Sequence, residues 1–163
     1  MSKTRATTAL YWASIFAALV LMLMPLPEVL RPLRPFWLAL ALIYWGLEEP
    51  GRVPLGRAFA FGLACDVLTG NLLGEMALRL CVLDFIVLRF RSRMRFFPML
   101  QQSLAVLGLL ANDRVLMLMV RSFSEPVLPD WTLALAPLAG TALWPWLFLL
   151  FDELRQKTRP REA

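Results

Sequence analysis

Histidine is absent from the 163 residues, and cysteine occurs only twice, at Cys65 and Cys81. Zinc sites built on histidine, Ser-His or Cys-His nucleophiles and histidine-ligated haem therefore have nothing to form from. The two cysteines sit in apolar segments without metal-type spacing and read as buried, inert thiols. Charge is also scarce: 18% of the residues are charged, 59% are apolar, and mean hydropathy is +0.62. Soluble domains hold about 45–50% apolar residues. One small domain has no core large enough to hide the surplus, so lipid must solvate part of the chain. The net charge of +5 and the pI near 10.0 do not indicate nucleic acid, because the basic residues are spread between apolar runs and form no single stripe.

What is present is a series of apolar runs with polar breaks. Lys3 and Arg5 precede a first run from Ala9 to Met24, closed by Pro25 and Pro27. The run lacks a small-residue cleavage site and is expected to stay as a first helix. A second run, Phe36 to Leu47, ends at Glu48-Glu49-Pro50. Its 12 residues make about 18 Å of helix, short of a hydrocarbon core near 30 Å, so it needs thinned bilayer or the company of other helices. A third run, Ala58 to Thr69, is rich in small residues and is expected to lie inside the bundle. Gly70 and Gly74 read as a turn and not as a dimer interface. The expectation is an all-α, single-domain polytopic membrane bundle of about six short helices, with spans near 9–24, 33–49, 57–70, 72–90, 98–120 and 131–151. Pro137 and Pro145 in the last are tolerable among neighbouring helices, and the tail from Asp152 onward is expected to be frayed and exposed.

Cation placement sets the expected orientation. Six spans put twelve of the 17 basic residues at the ends and loops of one side: Lys3, Arg5, Arg52, Arg57, four arginines between Arg89 and Arg95, Arg155, Lys157, Arg159 and Arg161. Arg31, Arg34 and Arg121 fall on the other side. The positive-inside rule then places both termini in the cytoplasm of a bacterial inner-membrane protein. Trp12, Tyr44, Trp45, Trp144 and Trp146 on one side, with Trp37 and Trp131 on the other, read as interfacial belts.

Five ionisable residues fall within the spans, each costing at least about 2.5–3.5 kcal/mol if it faced lipid. Counted at 1.5 Å per residue, Asp66, Arg79, Asp113 and Arg114 lie at one level, about 8–12 Å below the outer boundary. A compensated cluster of Asp66, Arg79 and Asp113, joined by Arg114, is the expectation. Its bland role is to lock helix packing; its functional role is to receive a partner helix or a lipid headgroup. Asp84 sits deeper.

An ordered series of residues resembles the MreD family of rod-shape-determining membrane proteins. It runs Arg34-Pro35-Phe36-Trp37, Tyr44-Trp45, Pro50-Gly51-Arg52-Val53, then Gly62, Asp66, Gly70 and Gly74 at four-residue spacing, Ala77-Leu78, Gln101-Gln102 and Leu143-Trp144-Pro145-Trp146. Arg79, Asp84 and Arg114 depart from the pattern expected of the family. The resemblance implies a non-enzymatic scaffold of the elongasome with no cofactor. The implied partners are an MreC-like single-span protein, membrane lipid and, indirectly, MreB filaments, a RodA-type glycosyltransferase and a penicillin-binding transpeptidase. It also implies a fold similar to the substrate-binding subunits of vitamin transporters. The alternative function is a small-solute or lipid-binding transporter subunit.

Overall fold

Helix breakers set the boundaries of the architecture. The structure, a computed structural model, describes residues 2–124, 126 and 130–158; Pro129, Arg159, Arg161 and the side chain of Lys3 lie outside the described residues. The described residues form six α-helices and no strand: α1 (Ser2–Leu23), α2 (Trp37–Glu48), α3 (Leu55–Thr69), α4 (Glu75–Met94), α5 (Met99–Ser122) and α6 (Leu135–Lys157). Short 3₁₀ helices join them at Glu28–Leu33, Pro50–Arg52 and Trp131–Ala134. Pro25 and Pro27 end the first helix, and Pro54 and Pro98 stand immediately before α3 and α5. Proline lacks a donor, which the first turn does not need and the helix interior does.

The centre of the molecule is α2. A helix that is apolar on every side has no solvent face and must be enclosed, and all ten residues from Leu38 to Leu47 are buried. Helices α1, α4 and α6 pack around it. Its short length is thereby resolved: a helix sheathed in protein does not have to match the bilayer thickness. Tyr44, Trp45 and Trp144 are wholly buried in this core. They are packing residues, not parts of an interfacial belt. Tyr44 meets Trp45 and Phe148 edge-on, and the Trp45 Nε1–H donates to Ser14 Oγ at 2.9 Å. Trp12, Trp131 and Trp146 are exposed.

The third helix sits at the edge. It buries one face through Ala58, Gly62, Cys65 and Asp66, while Phe59, Val67 and Leu68 remain outside. Of its small residues, Ala60 and Ala64 face outward, while Gly62 permits the close contact with α4. A Cβ on Gly62 would stand 2.7 Å from the Met76 carbonyl carbon and closer still to Ala77. The two backbones therefore touch where only glycine fits. Between them, Gly70 (φ 65°) and Gly74 (φ 98°) both occupy the left-handed region, which makes this stretch a turn.

The helices alternate in direction, so six helix ends meet at each pole. At one pole, Met22, Phe36, Thr69, Met76, Arg121 and Leu133 line a single cavity. At the other, the ends of α2, α4 and α6 converge on Glu48 and Leu47. Several boundaries differ from the sequence expectation: α1 begins at Ser2, α2 only at Trp37, α4 only at Glu75, and a 3₁₀ helix occupies Trp131–Ala134 before α6. The basic stretch through Arg93 continues α4 as helix to Met94. Helix α6 runs on to Lys157, and Arg155 is buried instead of frayed. Three segments are long and apolar enough to cross a membrane unaided: 5–23, 99–122 and 131–157. The other three helices are too short or too charged to do so alone. Large apolar side chains remain on the outside, including Phe16, Leu100 and Trp146, the distribution expected where the solvent is hydrocarbon.

Candidate functional site: a charged pole and a lateral groove

Charged side chains between the helices concentrate at the pole reached by the end of α5. Arg79 of α4 and Asp113 of α5 form a two-pronged pair, Nε to Oδ1 at 2.8 Å and Nη2 to Oδ2 at 2.5 Å. Both are buried. Arg79 also donates from Nη1 to Glu75 Oε1 at 3.4 Å and lies 5.2 Å from the centroid of the Phe36 ring. Parallel guanidinium–carboxylate bonds are the geometry that best offsets desolvation of the two charges. Arg121 completes the network, its Nε 3.2 Å from Glu75 Oε1.

Asp66 does not join this network. Its carboxylate accepts from the Gly74 N–H at 2.8 Å and the Met76 N–H at 2.9 Å, the free donors at the start of α4. The first N–H groups of a helix lack internal partners and carry partial positive charge, so an anion on the neighbouring helix satisfies both needs. Depth counting placed Asp66 level with Arg79, but depth says nothing of azimuth, and the backbone donors lie nearer. Arg114 is separate as well: its Nη1 meets Met117 Sδ at 3.6 Å, and it faces the polar cavity. Glu75 was not singled out from the sequence. The i,i+4 spacing of Glu75 and Arg79 was the available signal.

The residues of the family-like series divide between the two ends of α2, the α3–α4 contact and the packing of α6. Arg34 donates to the Met24 carbonyl at 3.0 Å and ties the end of α1 to the start of α2, beside Pro35 and Trp37. Arg52, after Pro50, bonds Glu49 and, at 2.9 Å, Thr8 Oγ1 of α1. The Trp144 Nε1–H donates to Gln102 Oε1 at 3.3 Å, and Gln102 in turn donates to the Met94 carbonyl at 3.3 Å. Pro145 lies in the interior of α6. At the opposite pole Arg91 donates to the Leu47 carbonyl at 2.7 Å, and Arg155 bonds Glu48 at 2.6 Å. Cations at the carboxyl end of α2 complement its dipole.

Asp84, 0% exposed, has no hydrogen-bond partner for either oxygen among the described residues. No group of three or more metal-type side chains comes together among the described residues. Alongside the core, a groove of about 420 Å³ runs between α4 and α5. Ala105, Gly108 and Asn112 of α5 line it, with Ile86 and Phe90 of α4 and Phe97 between the two helices.

An all-helical bundle with an enclosed central helix, an apolar exterior and three segments able to cross a bilayer defines a class: a small helical membrane protein. The family model for rod shape-determining protein MreD matches residues 3–154. The rod shape-determining protein MreD of Haemophilus influenzae is 34% identical, the match covering 92% of this chain and 95% of that one. The chain belongs to the MreD family of rod shape-determining proteins. No solved structure matches it.

Proposed function

We propose that this protein is a non-enzymatic, multi-pass scaffold of the bacterial inner membrane. In this reading it holds a single-span, MreC-like partner within the elongasome and so helps organise peptidoglycan synthesis along the side wall. The groove between α4 and α5 carries the reading. Ala105, Gly108 and Asn112 share one face of α5, and a Cβ on Gly108 would meet nothing within 4 Å. Small residues let a second helix approach closely in lipid. The Asn112 Nδ2 is buried without a hydrogen-bond partner in the protein, a donor that an incoming helix would satisfy. MreB filaments, the RodA-type glycosyltransferase and the penicillin-binding transpeptidase are reached through that partner.

The start of α1 and the end of α6 share one pole because six helices alternate, and most of the described basic residues lie at that pole; the positive-inside rule supports placing it in the cytoplasm. The test is co-purification in mild detergent. The wild-type chain should retain a single-span partner, and Gly108→Leu, which fills the groove, should lose at least ten-fold of it while melting at the wild-type temperature. Undiminished capture by the variant, or normal rod shape in cells depleted of the protein, would contradict the reading. A second reading, a small-solute or lipid-binding transporter subunit, draws on the arginine-lined cavity; an ATP-hydrolysing module in place of the single-span partner would favour it.

A further inference from the structure

The cavity at the charged pole encloses about 400 Å³, within the range of small-ligand sites. Five arginines line it: Arg31, Arg34, Arg79, Arg114 and Arg121. They come from the segment between α1 and α2, from α4 and from α5, so the convergence is a product of the fold. Two are answered by carboxylates, Arg79 by Asp113 and Glu75, Arg121 by Glu75. The other three have no carboxylate partner among the described residues. Arg34 donates one bond to the Met24 carbonyl, and its Nε is buried without a partner. Arg114 reaches only the Met117 sulfur. Arg31 has no side-chain bond among the described residues.

Like charges gathered against an apolar wall repel one another more than they would in water. Five guanidinium groups facing one space with only Glu75 and Asp113 among them are therefore an incomplete arrangement, and an anion completes it. The guanidinium fork matches the oxygens of a phosphate and can bond it two at a time. A tetrahedral group with several oxygens can serve forks from different directions at once. The remaining walls include Met22, Phe36, Met117 and Leu133, and flexible methionines adapt to irregular apolar partners. The space also exceeds what a bare phosphate ion fills.

We infer that this cavity binds a phosphate group, carried by an anionic membrane lipid whose headgroup enters among Arg31, Arg34 and Arg114 while its apolar part lies along the methionine and phenylalanine walls. The site is separate from the groove between α4 and α5, and the inference stands whether or not that groove holds a partner helix.

The experiment is binding to the full chain purified in a neutral detergent, read by native mass spectrometry and by thermal shift. Phosphatidylglycerol, phosphatidylcholine and inorganic phosphate are the probes. Phosphatidylglycerol should bind at least ten-fold tighter than phosphatidylcholine, and Arg31→Gln with Arg114→Gln should erase that difference. Both substitutions leave the Arg79–Asp113 pair in place. Arg31→Gln alone, at an exposed position, should still weaken binding three-fold or more should the double variant fold poorly. Arg5→Gln with Arg89→Gln, an equal loss of charge at the other pole, should leave binding unchanged. Inorganic phosphate binding as tightly as phosphatidylglycerol would assign the site to the free ion, and much weaker binding would assign it to the lipid; either sustains a phosphate site. Equal binding of the two lipids to the wild type, or wild-type binding by the double variant, would overturn the inference.

Discussion

Arg79 and Asp66 show how differently two buried charges are accommodated. Arg79 is matched by a carboxylate on α5 and Asp66 by backbone donors on α4. Removing one member of a buried pair strands the other, at a cost of about 3–5 kcal/mol, whereas removing both costs much less. Asp113→Asn should therefore strongly lower thermal stability in detergent, and adding Arg79→Gln should restore part of it. Asp66→Ala should cost about 1–2 kcal/mol, as loss of a helix cap does, and should add to Arg79→Gln without coupling. A double-mutant cycle measures both. Strong coupling between positions 66 and 79 would contradict the geometry described here.

At the scale of helices, the α3–α4 contact is the most exacting. Because the Gly62 position faces backbone and not a movable side chain, no rotamer change can make room for a larger residue. Gly62→Leu should separate the two helices, cost more than the 1–3 kcal/mol typical of an overpacked core, and pull Asp66 away from the start of α4. Circular dichroism should show the helices retained while the melting temperature falls. By contrast, Gly51 has open space around it, and Gly51→Ala should melt as the wild type does. Equal effects at the two positions would mean that the close approach at Gly62 is not needed.

For the molecule as a whole, the decisive feature is that chain ends distant in sequence seal the central helix. Glu48, at the end of α2, is held by Arg155 of α6, with Arg95, just past the end of α4, at 3.9 Å. Arg155→Gln should leave a part-buried carboxylate with one distant cation, lowering stability by about 1–3 kcal/mol. Limited proteolysis should then cut the carboxyl-terminal part of α6 sooner. Unchanged protease resistance would place the closure of that pole elsewhere, in Arg91 and the Leu47 carbonyl.

Composition determined that this chain needs lipid, because no packing arrangement changes the transfer energy of that much hydrocarbon, and the order of apolar runs and prolines marked it as helical with most of its helix ends. The all-apolar run from Leu38 to Leu47 likewise required enclosure, because a helix without a polar face has nowhere else to go. Which residues meet was not legible. Rise per residue gives depth, but rotation about each helix axis comes from packing, and rotation decided that Arg79 meets Asp113 while Asp66 caps α4. Tyr44, Trp45 and Trp144 have the composition of an interfacial belt, yet they fill the core because the neighbours of α2 leave space there. Arg155 belongs to a polar tail in sequence and to a part-buried pair in the fold, since its partner, Glu48, lies 107 residues away. Local sequence carries the cost of burying each group; only the assembled helices supply the partner that offsets it.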